Sequence, residues 1–308
     1  MASIDLDKML AKIKSTQWTL GDIDWEAPGA ELITPEQWPK LKAFMADLMW
    51  IEHVGARGFA AMAKKAPNDT LKEIYTYFHA EEQRHANAEM ALMKRWGMLD
   101  GDKIPEPNIN LRLVIEWLDR YSDDMPLEAL GSVIPMLEIA LDGALCKFLL
   151  DTVHDPVCHQ AFARINDDES RHLGVGFHVL EMQGHGKIYR NVLKLVATFA
   201  DPRLMLGIAA YFPLLNRMRD NIVEMGLKEE SLYAAMDKFR KIGGRTVQGR
   251  RNPWYQVISR HGSWMVNRRN RLYHVPVDAA VKLTGYIPKQ ALPPIPSWVK
   301  ELTYQPYA

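Results

Sequence analysis

The sequence has few cysteines, no long apolar stretch and no net charge. Only Cys146 and Cys158 occur in the 308 residues and they form no Cys-x-x-Cys motif, which argues against a disulfide framework and predicts a reducing compartment. The longest apolar run, 204–215, has 12 residues and contains Pro213, so it is too short to span a bilayer. Residues 1–14 carry charges throughout and lack the apolar core of a signal peptide. We therefore expect a cytoplasmic protein without a transmembrane segment.

Acidic residues are missing from one long segment. Lys plus Arg and Asp plus Glu both total 38 in the whole chain, yet segment 238–271 has ten basic residues and no acid. Such a run is most often a solvated face. The alternative is a surface for an anionic group: an acidic carrier protein, a CoA-type phosphate, an acidic ferredoxin or an acidic surface of the same chain. No recognition motif accompanies the charge, so we expect no nucleic-acid partner.

Two short stretches of the sequence share one pattern. Residues 81–85 read Glu-Glu-Gln-Arg-His and residues 168–172 read Asp-Glu-Ser-Arg-His. Residues three apart in a helix differ by about 300° in direction and share a face, so Glu82 pairs with His85 and Glu169 with His172. A lone Glu-x-x-His is usually a solvated surface pair. Its repetition with the same flanking acid and Arg favours a divalent metal site instead.

A further glutamate precedes each motif by about one helical hairpin. Glu52 lies 30 residues before Glu82 and Glu138 lies 31 residues before Glu169, each inside an apolar helical run. A buried Glu needs a partner, and a metal supplies one. Glu from two helices plus Glu-x-x-His from two others is the ligand pattern of di-iron carboxylate bundles. The sequence thus predicts six metal ligands: Glu52, Glu82, His85, Glu138, Glu169 and His172, with Glu52 and Glu138 flanking or bridging.

This doubled pattern resembles the ferritin-like di-iron superfamily over roughly residues 34–185. It is most similar to the oxygen-activating branch, which contains bacterial multicomponent monooxygenases, acyl-carrier-protein desaturases and ribonucleotide reductase small subunits. Ribonucleotide reductase subunits typically carry a radical-forming Tyr four residues after the first His. That position is Glu89 here, and Gly176 follows His172 by four, so a stable tyrosyl radical is disfavoured.

The resemblance also suggests groups that support the ligands. Glu81 would orient His172 and Asp168 would orient His85, because a ligating imidazole normally donates its other N–H to an acceptor. Arg84 and Arg171 would neutralise these acids. The alternative is a surface ion-pair network made by the same four residues.

Three other residues share faces with the predicted ligands. Glu89 is a further ligand, a proton relay or a solvated residue. His79 and Asp142 are candidates for the surrounding shell only, since a satisfied core polar residue is the commoner outcome. Glycines near the ligands, such as Gly55, Gly58 and Gly176, indicate either a substrate cavity or close helix crossing, because Gly inside a helix costs about 1 kcal/mol relative to Ala.

The fold class that follows is all-α, a ferritin-like four-helix bundle with extra C-terminal helices and an extended tail. Three regions are expected: a lead-in at 1–33, the bundle at 34–186 and a helical, basic extension packed on the bundle at 187–308. Capping residues and stop signals place the helices. The predicted bundle helices are 34–65, 68–96, 126–152 and 155–184, with additional helices at 111–121, 188–200, 203–225 and from 229 to 240 or beyond.

The expected activity is that of a di-iron enzyme which uses O2 to hydroxylate, N-oxygenate or desaturate a small organic or carrier-linked substrate. The cofactor would be two iron ions, with manganese plus iron as an option, because the same ligands accept both metals. No flavin, nicotinamide or Cys-cluster motif is present, so a separate reductase or ferredoxin would supply electrons. We also expect a homodimer. The alternatives are iron oxidation and storage, or a manganese–iron oxidase without a stable tyrosyl radical.

Overall fold

The computed structural model describes residues 4–101, 103–140, 148–184, 188–202, 211–214, 216–217, 219–220, 223–226 and 228–291. These residues form helices and connecting turns, and no β-strand occurs among them, so the all-α prediction is confirmed. The principal helices are α1 (Leu6–Ser15), α2 (Trp38–Lys65), α3 (Asp69–Arg95), α4 (Ile109–Tyr121), α5 (Leu127–Ala140), α6 (Pro156–Gly184), α7 (Ile188–Ala200), α8 (Glu229–Gly243), α9 (Val247–Arg251), α10 (Pro253–Val266) and α11 (Arg271–Thr284).

Four of these helices form a closed bundle. Helix α2 packs against α3 and α5, and helix α6 packs against the same two helices. Each of the four therefore has two neighbours within the bundle, and their apolar faces surround a common interior. This arrangement directs polar side chains on those faces toward one another.

Local sequence signals set the ends of α2 and α3. Thr34 and Gln37 form the two reciprocal bonds of a capping box, with Thr34 N donating to Gln37 Oε1 at 3.1 Å and Gln37 N donating to Thr34 Oγ1 at 3.3 Å. Regular helix nevertheless starts only at Trp38. The side chain of Asn68 caps α3, and Gly97 follows its last turn with φ of +66°, a conformation that favours glycine.

Helices α5 and α6 meet through a glycine–proline contact. Helix α5 continues through Pro135, and a Cβ added to Gly176 on α6 would lie 2.5 Å from Pro135 Cγ. Gly176 therefore permits close approach of two helices. Residues 148–152 are also helical. The rest of the predicted 126–152 helix, which includes Cys146, lies in the range 141–147 outside the described residues, whereas Cys158 is a buried free thiol.

C-terminal helices cover part of the bundle. Helices α8 and α10 pack on α5, and α9 packs on α6. The predicted helix at 188–200 is α7, and the one starting at 229 is α8, which extends to Gly243. Most of the predicted 203–225 helix and the proline-containing tail from 292 onward lie outside the described residues.

The basic segment 238–271 belongs to this C-terminal region. Arg240 and Lys241 form ion pairs with Asp237 on the same helix, and Arg268 pairs with Glu229 at 3.1 Å. The other arginines of the segment are exposed: Arg245, Arg250, Arg251, Arg260, Arg269 and Arg271. Part of the charge is thus balanced within the chain, and the rest faces solvent.

Among the described residues, no helix is both long enough and apolar enough to cross a membrane.

Candidate metal centre

Six buried side chains from four helices converge inside the bundle. Helix α2 contributes Glu52 and helix α5 contributes Glu138, while α3 and α6 each contribute a Glu and a His. Their side-chain atoms form two groups, and within each group one potential ligand atom per residue lies within 4.8 Å of the others. The first group is Glu52, Glu82, His85 and Glu169, and the second is Glu82, Glu138, Glu169 and His172. The structure therefore brings together all six residues that the sequence pattern selected.

Two carboxylates are common to both groups. Glu82 and Glu169 appear in each, whereas Glu52 occurs only beside His85 and Glu138 only beside His172. The sequence left open whether Glu52 and Glu138 flank or bridge the metals. The geometry favours Glu52 and Glu138 as terminal residues and Glu82 and Glu169 as the shared pair.

Both imidazoles present the same nitrogen to the carboxylates. His85 Nδ1 lies 3.0 Å from Glu169 Oε1 and 3.4 Å from Glu52 Oε2. His172 Nδ1 lies 3.2 Å from Glu82 Oε1 and 3.3 Å from Glu169 Oε2. Nδ1 is therefore the atom of each ring that is available to a metal in the centre.

The opposite nitrogen of each ring is bound across the bundle. His85 Nε2 lies 3.0 Å from Asp168 Oδ2, and His172 Nε2 lies 2.9 Å from Glu81 Oε2. Because an ionised carboxylate accepts but does not donate, each Nε2 carries the proton of its hydrogen bond. Each helix thus supplies both a ligand pair and the acid that orients the imidazole of the other helix.

These acids are buried, so they do not form a surface network. Glu81 is 0 % exposed and Asp168 is 1 % exposed. Arg171 binds Asp168 and also lies 3.2 Å from Glu81 Oε1. Arg84 is more distant, with its Nη1 3.9 Å from Asp168 Oδ2. One arginine therefore contacts both acids, and the roles of the two arginines are unequal.

The N-terminal lead-in also contacts the acids, which the sequence did not indicate. Trp18 Nε1 donates to Asp168 Oδ2 at 2.8 Å, and Gln17 Nε2 donates to Glu81 Oε1 at 2.6 Å. Gln17 Oε1 in turn accepts from Arg84 at 2.6 Å. No local motif marks Gln17 or Trp18, since their role depends on contacts with residues more than 60 positions away.

The carboxyl groups of the centre lie close together and lack a full set of positively charged partners. Burial, followed by repulsion from neighbouring glutamates, raises the pKa of Glu82 and of Glu138 well above its ordinary value. Burial also acts against ionisation of Glu169, but the nearby charge of His172, whose Nδ1 lies 3.3 Å from Glu169 Oε2, outweighs it and lowers the pKa of that carboxyl. Added positive charge would therefore stabilise the ionised glutamates most strongly in the middle of the centre.

Several atoms of the centre also lack hydrogen-bond partners among the described residues. By hydrogen-bond geometry, these buried and unpaired atoms are both carboxyl oxygens of Glu138 and Glu169 and the Nδ1 atoms of His85 and His172. Buried polar atoms are rarely left in this state. Oxygen and imidazole donors that converge on one point fit one or more divalent cations such as iron or manganese.

Glu89 lies beside the same cluster. It is 0 % exposed and neither carboxyl oxygen has a hydrogen-bond partner in the described part of the chain, which rules out the solvated alternative. Burial, followed by repulsion from Glu52, raises the pKa of Glu89. It is not part of either group of converging ligand atoms. The corresponding position after His172 is Gly176, so the two ends of the centre differ.

Of the remaining two candidates, only His79 lies among the described residues, and it is not part of the cluster. His79 is half-buried, and its Nδ1 lies 2.7 Å from the backbone oxygen of Ala56. That contact makes it a satisfied polar residue of the α2–α3 interface. Asp142 lies outside the described residues.

An apolar cavity adjoins the carboxylates. Its volume is about 210 Å³, and Glu52, Glu82 and Glu138 form part of its lining. Gly55 and Gly58 also line it, and a Cβ on Gly55 would lie 2.5 Å from Glu82 Oε2. Gly55 and Gly58 therefore fit the explanation by a substrate cavity, whereas Gly176 fits the explanation by close helix crossing.

The cavity also includes residues from the C-terminal helices. Phe199, Tyr211, Phe212, Trp254, Ile258 and His261 line it together with bundle residues such as Ile134 and Leu137. Sequence reasoning gave these C-terminal residues no role in a site, because their proximity to Glu52 and Glu138 arises only when the C-terminal helices pack on α5.

Comparison with known proteins finds no matching family model, no matching curated protein and no matching solved structure.

Proposed function

We propose that this chain is a ferritin-like di-iron carboxylate protein that uses O2 to oxidise an apolar organic substrate. The observation that carries the proposal is the pair of four-residue groups that share Glu82 and Glu169. Two separate metal sites with two common carboxylates match the ligand pattern of di-iron bundles. Neither group would need an additional protein ligand to bind an ion.

In this proposal each part of the centre has one task. Glu52 and His85 would hold one ion, Glu138 and His172 would hold the other, and Glu82 and Glu169 would contribute to both sites. Asp168 accepts a hydrogen bond from the Nε2–H group of His85, and Glu81 accepts one from that of His172, so each Nδ1 stays directed at the centre. A pair of ferrous ions held by these residues would supply electrons for the activation of O2.

The apolar cavity favours an organic substrate over iron storage. A storage protein needs a path for iron, whereas a cavity of about 210 Å³ with mainly hydrophobic lining next to Glu52, Glu82 and Glu138 suits an apolar molecule. The product would be hydroxylated, N-oxygenated or desaturated. A separate reductase or ferredoxin would return electrons to the centre, with the exposed arginines of segment 238–271 as a candidate docking surface.

The test is metal stoichiometry after anaerobic loading with ferrous iron, followed by absorbance on admission of O2. We expect about two irons per chain and an oxidised-iron absorption band. His85→Ala and Glu169→Ala should each remove this band while far-ultraviolet circular dichroism retains its helical signal. His154→Ala, which changes an exposed histidine, is the control and should behave as the wild type.

Three results distinguish the alternatives. Wild-type iron binding by both His85→Ala and Glu169→Ala would contradict the metal centre. Many irons per chain in a large cage on size exclusion would indicate storage. One manganese and one iron per chain, after loading with both metals, would indicate a mixed-metal oxidase.

A further inference from the structure

Helix α7 exposes an apolar face. Five of its large apolar side chains are each between 40 % and 61 % exposed: Ile188, Val192, Leu193, Val196 and Phe199. Spacings of three and four residues place them on one side of the helix. Two polar residues of α7, Asn191 and Thr198, are buried instead. The helix therefore turns apolar side chains outward and polar ones inward, which is the reverse of the usual pattern for a surface helix.

The exposed face reaches the opening of the apolar cavity. Phe199 lines this cavity, and it is the only exposed side chain among the described lining residues. From Phe199 the cavity continues inward to Glu52, Glu82 and Glu138. An apolar path thus leads from the surface of α7 to the carboxylates of the metal centre.

The charged residues of α7 have one sign. Segment 188–200 contains Arg190 and Lys194 and no acidic residue. Arg190 is exposed, whereas Lys194 pairs with Glu128. Helix α10, which packs on α7, belongs to the acid-free segment 238–271. A basic helix with an exposed apolar face is typical of a surface that binds an anionic membrane or an amphipathic partner.

The charge and the cavity favour a lipid surface over a second copy of the chain. A two-fold contact would place the basic face of α7 against the same face of its partner, which brings like charges together. Anionic lipid headgroups would instead complement Arg190, and the apolar side chains would lie at the boundary between headgroups and acyl chains. An apolar substrate that fits the cavity also concentrates in lipid rather than in water.

Resting on the proposed function, we propose that α7 lies in the surface of an anionic lipid bilayer and that an apolar substrate passes from the lipid into the cavity beside Phe199. The attachment is peripheral, because only side chains of one helix face enter the lipid. Leu193 and Val196 contact the acyl chains, and Arg190 contacts the headgroup phosphates.

Sedimentation with vesicles tests the lipid surface. The full-length protein is mixed with vesicles of phosphatidylcholine alone, or of phosphatidylcholine and phosphatidylglycerol at about 7:3. We expect binding to the anionic vesicles that decreases as salt is added. Leu193→Gln should weaken this binding about 3- to 10-fold, because a leucine side chain no longer leaves water. Arg190→Gln should weaken it about 5-fold on anionic vesicles, since one basic group near the surface is lost.

Leu32→Gln is the matched control. Leu32 is also exposed, but it lies in the lead-in near the start of α6, where a Cβ on Gly29 would lie 2.5 Å from Pro156 Cδ. Helix α7 follows the other end of α6, which is about 43 Å long for its 29 residues. Leu32→Gln should therefore bind vesicles as the wild type does. An equal loss in Leu32→Gln and Leu193→Gln, or no binding of the wild type to anionic vesicles, would overturn the inference.

Brominated lipids test whether the cavity opening faces the bilayer. Phe199→Trp adds an indole at the opening, and its fluorescence is obtained by difference from the wild type. Vesicles with brominated acyl chains should quench this added fluorescence and should leave that of Leu32→Trp unchanged. Equal quenching of the two variants, or none in Phe199→Trp, would refute the path from the lipid to the cavity.

Oligomeric state and iron content separate the remaining explanations. A dimer that Leu193→Gln converts to a monomer, together with no vesicle binding, would assign the α7 face to a second copy and overturn the inference. Vesicle binding by a chain that holds no iron after ferrous loading would support the lipid surface and refute the di-iron function. Two irons per chain without vesicle binding would support the metal centre and refute the lipid surface.

Discussion

His85 Nε2 lies 3.0 Å from Asp168 Oδ2, although the two residues belong to different helices and are 83 positions apart. The same relationship joins Glu81 Oε2 and His172 Nε2 at 2.9 Å, with the acid now on α3 and the imidazole on α6. The doubled motif is therefore used crosswise: each copy supplies the acid that orients the imidazole of the other. The arrangement ties α3 to α6 as well as positioning the two Nδ1 atoms.

Asp168→Asn should weaken metal binding without unfolding the bundle. Asn in the flipped orientation presents an N–H to His85 Nε2, which disfavours the tautomer that leaves Nδ1 free. Loss of such an orienting acid typically reduces metal affinity about 10- to 100-fold. Competition titration with a chromophoric chelator would measure the affinity. Glu81→Gln should show a loss of similar size at the other end, and wild-type affinity in both variants would contradict the orienting role.

Gly55→Ala should disturb the centre through Glu82. The added methyl would lie 2.5 Å from Glu82 Oε2, so the carboxylate must move out of its shared position. Because the Glu82 side chain is flexible, it can move without a change in the backbone fold. We expect metal affinity to fall and the midpoint of thermal unfolding of the metal-free protein to change little.

Gly174→Ala is the matched control for that substitution. Its Cβ would meet Ile4 Cδ1 at 3.5 Å, an ordinary contact, so metal affinity should be unchanged. The free energy of unfolding should rise by about 0.5–1 kcal/mol, because Ala favours a helix more than Gly does. Equal metal affinity in both alanine variants would show that Gly55 is not needed for the Glu82 position.

Glu89→Leu should stabilise the metal-free protein. The carboxyl of Glu89 is buried among other acids and has no hydrogen-bond partner in the described ranges, so its replacement by an apolar group removes a desolvation cost of about 1–3 kcal/mol. Urea unfolding of metal-free wild type, Glu89→Leu and Glu89→Gln would measure this, and Gln should gain less because it stays polar. A lower metal affinity in Glu89→Leu would identify Glu89 as a further ligand, and a destabilised metal-free variant would mean that the carboxyl has a stabilising partner.

Stability should decline between pH 6.5 and pH 4 partly because of His261. Burial lowers the pKa of this imidazole from 6.5 to about 4, so in this range the unfolded chain binds a proton that the folded chain does not. The free energy of unfolding then falls as the pH falls, by at most about 3 kcal/mol over the full interval. Comparison of wild type with His261→Gln by chemical unfolding at pH 7 and pH 5 would detect a shallower pH dependence in the variant. An identical dependence would contradict the lowered pKa.

The sequence by itself determined the bundle helices and the choice of the six central residues, but it gave no prediction of α9, α10 and α11. Capping residues such as Asn68 and stop signals such as Gly97 act within a few positions of the chain, so their effects are readable locally. The spacing of Glu82 to His85, and of Glu169 to His172, is likewise a property of one helix. The repetition of that spacing made the convergence of two motifs predictable.

Only the tertiary structure decided which residues from different helices and loops come into contact. It selected Glu82 and Glu169 as the carboxylates common to both groups, placed Trp18 on Asp168 and buried Glu89 instead of exposing it. It also brought Tyr211, Trp254 and His261 into the same cavity as Glu52. These contacts join positions tens to hundreds of residues apart, and they depend on how the helices pack in three dimensions, which the periodicity of a single helix does not encode.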